Sequence, residues 1–317
     1  MTNRSFFLAP FSPLGRCRRQ RGLSVLFLFF SFSLSAQDYF QQEVNYEIHV
    51  SLDDEQHQLH ASESIEYINN SSSTLTFIWF HIWPNAYKDG KSALAKQMRE
   101  DGDLSLLFSK PADRGWIDSL DFHVNGVKVR MELDHRYADM CCVFLDKRLA
   151  PGERITITTP FRVKIPKGIF SRLGHLDQAY QITQWYPKPA VFDKDGWHQM
   201  PYLGQGEFYS EFGTFDVHIT LPENYVVGAT GDLVNAEKEL AWLDEKVKAT
   251  EAIQEFDYND LSFPKSSSTT KTLHYHQEKV HDFGWFADKR YHVLKGEVAL
   301  PKSGKKVTTW AMFTNNE

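Results

Sequence analysis

The feature that most constrains the fold of this chain is a strict alternation of apolar and polar residues in two neighbouring segments. In "VNYEIHVSLD" the apolar residues Tyr46, Ile48, Val50 and Leu52 occupy every second position. The segment "LHASESIEYIN" repeats the pattern, and the acidic "DDEQ" separates the two. Because successive side chains of a strand point to opposite faces, this period of two predicts two strands with one buried face each. The pair is therefore predicted to form a β-hairpin.

Similar runs recur along the chain and indicate a mainly β protein. The segment "TLTFIWFHIWP" is apolar on both faces, which is typical of a buried central strand. "DFHVNGVKVRMEL" predicts a hairpin with Asn125 and Gly126 at its tip. Strands are also predicted in "ERITITTPFRVKIP", "FDVHITLPENYVVGATGDL" and "KTLHYHQEKVHDF". Helices are predicted mainly in "KSALAKQMRED" and "ELAWLDEKVKATEAIQEF".

Residues 1–36 differ from the rest of the chain and have the three parts of a secretory signal peptide. The basic "RCRRQRG" precedes the apolar "LSVLFLFFSFSL", and the small residue Ala36 follows. Twelve apolar residues are too few to span the roughly 30 Å of membrane hydrocarbon. We therefore predict a cleaved signal, a mature chain that begins near Gln37, and a secreted or periplasmic location. The alternative is an uncleaved membrane anchor.

The composition after residue 36 is that of an acidic globular protein without disulfide bonds. The chain has 35 basic and 41 acidic side chains, and residues 1–36 hold five arginines and no acid, which leaves 30 against 41. This balance gives no electrostatic reason to bind nucleic acid. Only Cys141 and Cys142 remain, and a disulfide between adjacent residues would be strained. Both are predicted to lie in a strand, one on each face.

The stretch "HYHQEKVHDFGWFADKRYH" places four histidines in residues 274–292, which raises the question of a metal site. The chain contains no H-E-x-x-H motif, and His276 and His281 would diverge on a helix by about 140°. His274 and His276 share a strand face, but no third ligand follows at a fixed spacing. His81, His123 and His218 fall on separate predicted strands. We therefore expect a polar strand face followed by a helical turn, and no catalytic residue or tightly held metal ion, although weak binding to an exposed pair is compatible with the pattern.

A longer pattern resembles a known family. In "YQITQWYPKPAVFDKDGWHQMPY" and the following "FYSEFGTFDVHITLPENYVVGATGDL", Tyr186-Pro187, the strand Phe215 to Pro222, and Ala229-Thr230-Gly231 occur in a characteristic order. This order resembles the amino-terminal β-saddle domain of the aminopeptidase N family of zinc metallopeptidases, the gluzincins. The likeness covers residues 39–317 and is nearest to secreted members from Bacteroidetes-like bacteria. It implies a large antiparallel β-sandwich or saddle.

The resemblance also implies a domain division. Residues 1–36 are the signal, residues 37–291 the β-saddle domain, and residues 292–317 the start of an α/β catalytic domain, because "KVTTWAMFTNNE" resembles its first strand. In the family that domain holds zinc through H-E-x-x-H and a further glutamate, which this sequence lacks. The chain is thus expected to be a fragment of a longer product or a truncated relative, without a cofactor of its own but with zinc in the full-length protein. Phe283, Trp285 and Phe286 would be apolar anchors at the domain junction.

In the family, a glutamine or glutamate shortly before the aromatic-proline pair accepts a hydrogen bond from the free α-ammonium of the substrate. An amide oxygen is a suitable acceptor for that donor. The sequence offers Gln178, Gln181 and Gln184, of which Gln181 and Gln184 lie nearest to Tyr186 and are the candidate substrate-binding residues. The implied partners are a peptide with a free amino terminus and the catalytic domain of the same polypeptide.

Three functions therefore compete. The first is the non-catalytic amino-terminal part of a secreted zinc aminopeptidase, which frames the active site and helps to recognise the substrate amino terminus. The second is a stand-alone β-rich extracellular module that binds a peptide or protein. The third, an independent hydrolase built on the four histidines, has the least support because their spacing does not match a metal site.

Overall fold

Strands dominate the part of the chain that the computed structural model describes, which comprises residues 39–206 and 208–316. The signal peptide predicted for residues 1–36 lies outside the described residues and stays a prediction. In the described ranges no helix has both the length and the apolar character needed to cross a membrane. The expectation of a mainly β fold with several antiparallel sheets is confirmed.

The strands are numbered in chain order, and two α-helices interrupt them. The strands are β1 (Glu43–Asp53), β2 (Gln58–Ile68), β3 (Leu75–His81), β4 (Trp116–Asp118), β5 (His123–Val124), β6 (Val127–Lys128), β7 (Met131–Leu133), β8 (Met140–Leu149), β9 (Arg154–Lys164), β10 (Gly174–Leu176), β11 (Ala179–Ile182), β12 (Lys188–Pro189), β13 (Phe192–Asp193), β14 (Gly196–Trp197), β15 (Gly213–Pro222), β16 (Val226–Ala229), β17 (Asp232–Val234), β18 (Thr270–Val280), β19 (Trp285–Asp288), β20 (His292–Ala299) and β21 (Lys306–Phe313). The helices are α1 (Ala93–Glu100) and α2 (Glu237–Glu251), and short 3-10 turns cover Trp83–Tyr87 and Pro111–Asp113.

The largest sheet has nine strands in the order β17-β18-β15-β1-β2-β9-β5-β6, with β4 also paired to β9. Two four-stranded sheets, β10-β11-β19-β16 and β12-β3-β8-β7, and two hairpins, β13-β14 and β20-β21, complete the fold. The predicted β1-β2 hairpin and the Asn125-Gly126 turn between β5 and β6 are confirmed. One pairing departs from the antiparallel expectation, because β1 pairs with β15 in parallel.

The core lies under one face of the nine-stranded sheet. The apolar residues that alternate along β1 are buried, including Ile48 and Val50, as their period of two predicts. Tyr46 stacks on Phe215 of the neighbouring strand at 4.5 Å between ring centroids. A second, small core joins α2 to the β20-β21 hairpin around Val226, Leu243 and Val293.

The structure corrects two expectations about the histidine-rich stretch. No helical turn follows its first strand: β18 runs to Val280, and β19 begins at Trp285. Phe283 and Trp285, predicted as apolar anchors at a domain junction, are instead fully buried core residues, because they pack among the aromatic rings of the sheets. Of the three predicted anchors, only Phe286 is exposed, at 41%. Residues 292–313 form a hairpin, and their assignment to a catalytic domain stays a prediction.

Candidate functional site

The segment that carries the family resemblance runs through the interior of the protein. It leaves β11 at Ile182, passes through Gln184, and enters β12 at Lys188. Gln184 has a φ of 56°, a left-handed conformation that is uncommon for a residue other than glycine. The Trp185 ring packs edge-on against Trp285, and its Nε1 donates a hydrogen bond to the carbonyl oxygen of Phe283 at 3.1 Å. The segment is thus held against β19 by aromatic packing and a directed hydrogen bond.

Asp282, in the turn between β18 and β19, is the hub of a polar cluster in this segment. Its carboxylate accepts hydrogen bonds from Gln184 Nε2, from the Tyr186 hydroxyl at 2.8 Å and from the Phe283 amide at 2.9 Å. The Lys188 Nζ lies 3.2 Å from Asp282 Oδ1. One carboxylate therefore collects donors from two distant parts of the chain. We call Gln184, Tyr186, Lys188 and Asp282 the Asp282 cluster.

Several buried polar atoms in and near the Asp282 cluster have no hydrogen-bond partner in the structure. They include Gln184 Oε1 and both carboxyl oxygens of Glu63 on β2. Burial raises the pKa of the Glu63 carboxyl well above its usual value. Burial lowers the pKa of the Lys188 ammonium, and the nearby Asp282 carboxylate opposes that shift. The cluster therefore holds a buried amide oxygen without a partner beside a carboxylate that already faces the Lys188 ammonium.

The structure places the two candidate glutamines, Gln181 and Gln184, and the third glutamine, Gln178, in different environments. Gln184 is buried in the Asp282 cluster, whereas Gln181 is exposed on β11 and lines a groove of about 410 Å³ with Phe286 and Arg290. Gln178 is engaged elsewhere: its Nε2 donates to Asp54 Oδ2 at 3.1 Å, and its Oε1 accepts from Lys289 Nζ. Gln181 and Gln184 are therefore not brought to one site, and their predicted role in substrate binding stays a prediction.

The four histidines of residues 274–292 do not converge either. His274 Nε2 and His276 Nδ1 both contact Asp216 Oδ1, at 2.8 and 3.0 Å. His281 packs edge-on against Phe212, and His292 contacts Asn315 Oδ1. Two of the four histidines therefore contact the same carboxylate, and the other two make unrelated contacts.

The sequence analysis missed a row of histidines across three strands. His49 on β1, His218 on β15 and His274 on β18 are register neighbours, and their rings stack at 4.4 and 4.1 Å between centroids. Burial lowers the pKa of His218, and the neighbouring His274 and His49 lower it further. A sequence signal existed, because each histidine occupies a polar-face position of an alternating strand. The register that aligns them is not visible in any one segment.

The family that the sequence resembles has a catalytic zinc centre, so we examined whether the described residues could form one. In the described ranges, one group of His, Cys, Asp and Glu side chains has ligand atoms within 4.8 Å of one another, namely Glu47, His49 and His218. Glu47 and His49 are exposed at the outer face of the sheet, and a peptidase zinc also needs a positioned base and a substrate cleft. This group does not fit a catalytic zinc centre. The Asp282 cluster contains no histidine or cysteine and does not fit one either.

No protein-family model matches the chain, and no curated protein matches it. Among solved structures, the chain is similar to a crystal structure of the M1 zinc metallopeptidase from Deinococcus radiodurans, at 13% identity and a TM-score of 0.45. Two further structures each match at 13% identity and a TM-score of 0.46. They are a mutant of that enzyme bound to a Tyr-Ser-Ala substrate and a two-domain M1 zinc metallopeptidase mutant bound to L-arginine. Each match covers 86% of this chain and 48% of the other, so this chain spans about half the length of those structures.

Proposed function

We propose that this chain is the amino-terminal, non-catalytic part of a secreted zinc aminopeptidase and that Gln184 helps to recognise the substrate amino terminus. The single observation that carries the proposal is the state of the Gln184 amide: its nitrogen is fixed by Asp282, while its buried oxygen has no partner. In this proposal the catalytic zinc and its ligands belong to a segment outside these 317 residues. The order of motifs around Tyr186 supports the family assignment.

The surroundings favour Gln184 over Gln181 as the residue that accepts the substrate ammonium. A free acceptor that is buried costs free energy unless a ligand supplies a donor, so an unpartnered amide oxygen is a candidate contact for one. The left-handed backbone conformation of Gln184 also favours a functional role for this residue, since such conformations often occur at functional sites. Gln181 shows neither feature, because its side chain is exposed to solvent on β11.

The test uses the longest translation product that contains these 317 residues. Zinc-dependent hydrolysis of aminoacyl anilides is expected. The kcat/KM of the Gln184→Ala variant should be lower than that of the wild type, by a factor that corresponds to about 1.5–3 kcal/mol of lost transition-state stabilisation. Gln181→Ala is the matched control and should retain the wild-type value. Preference for free over N-acetylated substrates should shrink in Gln184→Ala alone, which a general loss of stability would not produce.

Two results would contradict the proposal in different ways. Absence of zinc-dependent aminopeptidase activity would reject the family assignment. Normal activity with an unchanged Gln184→Ala variant would retain that assignment but reject the role of Gln184. The secreted location is tested separately by sequencing the amino terminus of the exported protein. A terminus near Gln37 is expected, and an intact Met1 on a cytosolic protein would contradict it.

One observation favours a second candidate, a stand-alone extracellular module that binds peptides. The groove of about 410 Å³ beside β11 and β19 combines the exposed ring of Phe286 with the Arg290 guanidinium and the Gln181 amide. Apolar surface with a few polar groups is typical of ligand sites. If the 317-residue chain alone binds peptides and Phe286→Ala abolishes that binding, the result would favour this second function over the aminopeptidase proposal.

A further inference from the structure

Three histidines lie side by side on the outer face of the nine-stranded sheet, where His49 is exposed and His218 and His274 are partly exposed. His49 pairs with His218 across the parallel β1-β15 contact, and His218 pairs with His274 across the antiparallel β15-β18 contact. The rings are nearly parallel, with interplanar angles of 6° and 18°. Neighbouring strands are about 4.8 Å apart, so residues in register on one face present their ring nitrogens close together.

Carboxylates lie at both ends of this row. Glu47 is two residues before His49 on β1 and therefore shares its face, and its Oε1 lies 3.2 Å from His49 Nε2. At the other end, Asp216 Oδ1 contacts His274 Nε2 at 2.8 Å. The two ends differ, because Asp216 is also engaged by His276 whereas Glu47 contacts His49 alone among the histidines. The Glu47 end is consequently the one with an acceptor available for a ligand.

We propose that Glu47, His49 and His218 bind one divalent transition-metal ion on the outer face of the sheet. Their ligand atoms lie within 4.8 Å of one another, although they come from two strands that are far apart in sequence. Imidazole nitrogen and carboxylate oxygen together suit Zn²⁺ and Cu²⁺, at bond lengths of about 2.0–2.2 Å. The His49 and His218 rings are nearly parallel, so their in-plane lone pairs do not converge as they stand. Because Glu47 and His49 are exposed, the His49 ring can turn out of the stack and the Glu47 carboxylate can follow, which brings the three ligand atoms around one ion.

His274 and Asp216 act as positioning residues in this proposal. Asp216 holds the His274 ring by a hydrogen bond, and that ring stacks on His218 and limits its rotation. Groups that orient a metal-binding histidine typically change metal affinity by about 10–100-fold when they are removed. Three protein ligands leave coordination positions for water or for a group of a partner molecule. The proposal does not depend on the aminopeptidase assignment.

The test is isothermal titration of the untagged 317-residue chain with ZnCl2 after removal of metals by a chelator. One equivalent of Zn²⁺ is expected to bind, Cu²⁺ should bind more tightly according to the usual order of divalent metals, and Mg²⁺ should not compete. His218→Ala and Glu47→Gln should each weaken Zn²⁺ binding by at least about tenfold. The control is His135→Ala, because His135 is exposed in a turn outside the row and its loss should change nothing.

A second measurement separates loss of a ligand from loss of the fold. The electron paramagnetic resonance spectrum of the Cu²⁺ complex should show two coupled imidazole nitrogens in the wild type and one in His49→Ala, with unchanged circular dichroism. Zn²⁺ affinity that is the same in wild type, His218→Ala and Glu47→Gln would overturn the proposal. A spectrum of the His49→Ala complex that still shows two nitrogens would overturn it as well.

Discussion

The ammonium of Lys188 lies 3.2 Å from the carboxylate of Asp282, and the Lys188 side chain is almost completely buried. Removing one partner of a buried ion pair leaves an uncompensated charge, which typically costs about 3–5 kcal/mol. We expect Asp282→Ala to lower the free energy of unfolding by this amount, since it also removes the acceptor of the Tyr186 hydroxyl. Lys188→Met should cost less, because the Asp282 carboxylate keeps its three hydrogen-bond donors. Urea unfolding followed by tryptophan fluorescence measures both effects.

The control for this comparison is the exposed pair of Lys128 and Asp121, in which the lysine side chain is 72% exposed. Exposed ion pairs contribute little, so Lys128→Ala should leave the unfolding midpoint unchanged within error. If Asp282→Ala proved as mild as Lys128→Ala, the Asp282 cluster would not be the polar hub of this region.

Glu211 is expected to make stability depend on pH. Its Oε1 accepts the Phe192 amide at 3.2 Å while its Oε2 is buried without a partner, and burial raises the pKa of this carboxyl to about 8. The pKa of Glu211 in the folded protein lies above the usual value of 4.5. The contribution of this carboxyl to folding stability is therefore fully present below pH 4.5 and is lost as the pH rises to about 8. In this window the unfolding free energy of the wild type minus that of Glu211→Gln should fall by up to about 1.4 kcal/mol per pH unit.

The measurement is urea unfolding of both proteins at a series of pH values from 4.5 to 9. Other buried carboxyls, such as Glu63, are present in both proteins and cancel in the difference. The difference should level off above pH 8, where the Glu211 carboxyl is ionised in both states. A difference that is constant from pH 4.5 to 9 would show that Glu211 does not titrate abnormally.

The sequence predicted individual strands better than it predicted which strands meet. The alternation in β1 and β2 is visible locally because each buried face repeats every second residue. The parallel pairing of β1 with β15 depends on the path of the whole chain, so no local sequence pattern predicts it. For the same reason the alignment of His49 with His218 and the contact of Gln184 with Asp282 could not be predicted.

Two glycines should respond differently to alanine. Gly126, at the tip of the β5-β6 hairpin, has a φ of +79° and open space where a Cβ atom would lie, so only the backbone conformation is disfavoured. We expect Gly126→Ala to cost about 1–2 kcal/mol. At Gly213 a Cβ atom would overlap the Val44 carbonyl oxygen, where β15 begins to run beside β1.

Because that oxygen belongs to the backbone, β1 and β15 would have to separate to accommodate Gly213→Ala. A loss above about 4 kcal/mol is expected, which is exceptional for one added methyl group. Urea unfolding and the yield of soluble protein compare the two variants side by side. Equal effects of the two substitutions would contradict the close approach of the two strands.

Cys141 and Cys142 are adjacent on β8, and both are buried as free thiols, in agreement with their predicted place in a strand. Burial raises the pKa of Cys142 to about 11 and that of Cys141 further, so almost no reactive thiolate exists at pH 8. We expect iodoacetamide to leave both residues unmodified in the folded protein and to alkylate both in urea, as read by mass spectrometry of the peptide that contains them. A Ser303→Cys variant, with its thiol on the exposed turn between β20 and β21, is the positive control and should react under native conditions. Modification of Cys142 in the folded protein at the rate of that control thiol would show that β8 is open to solvent.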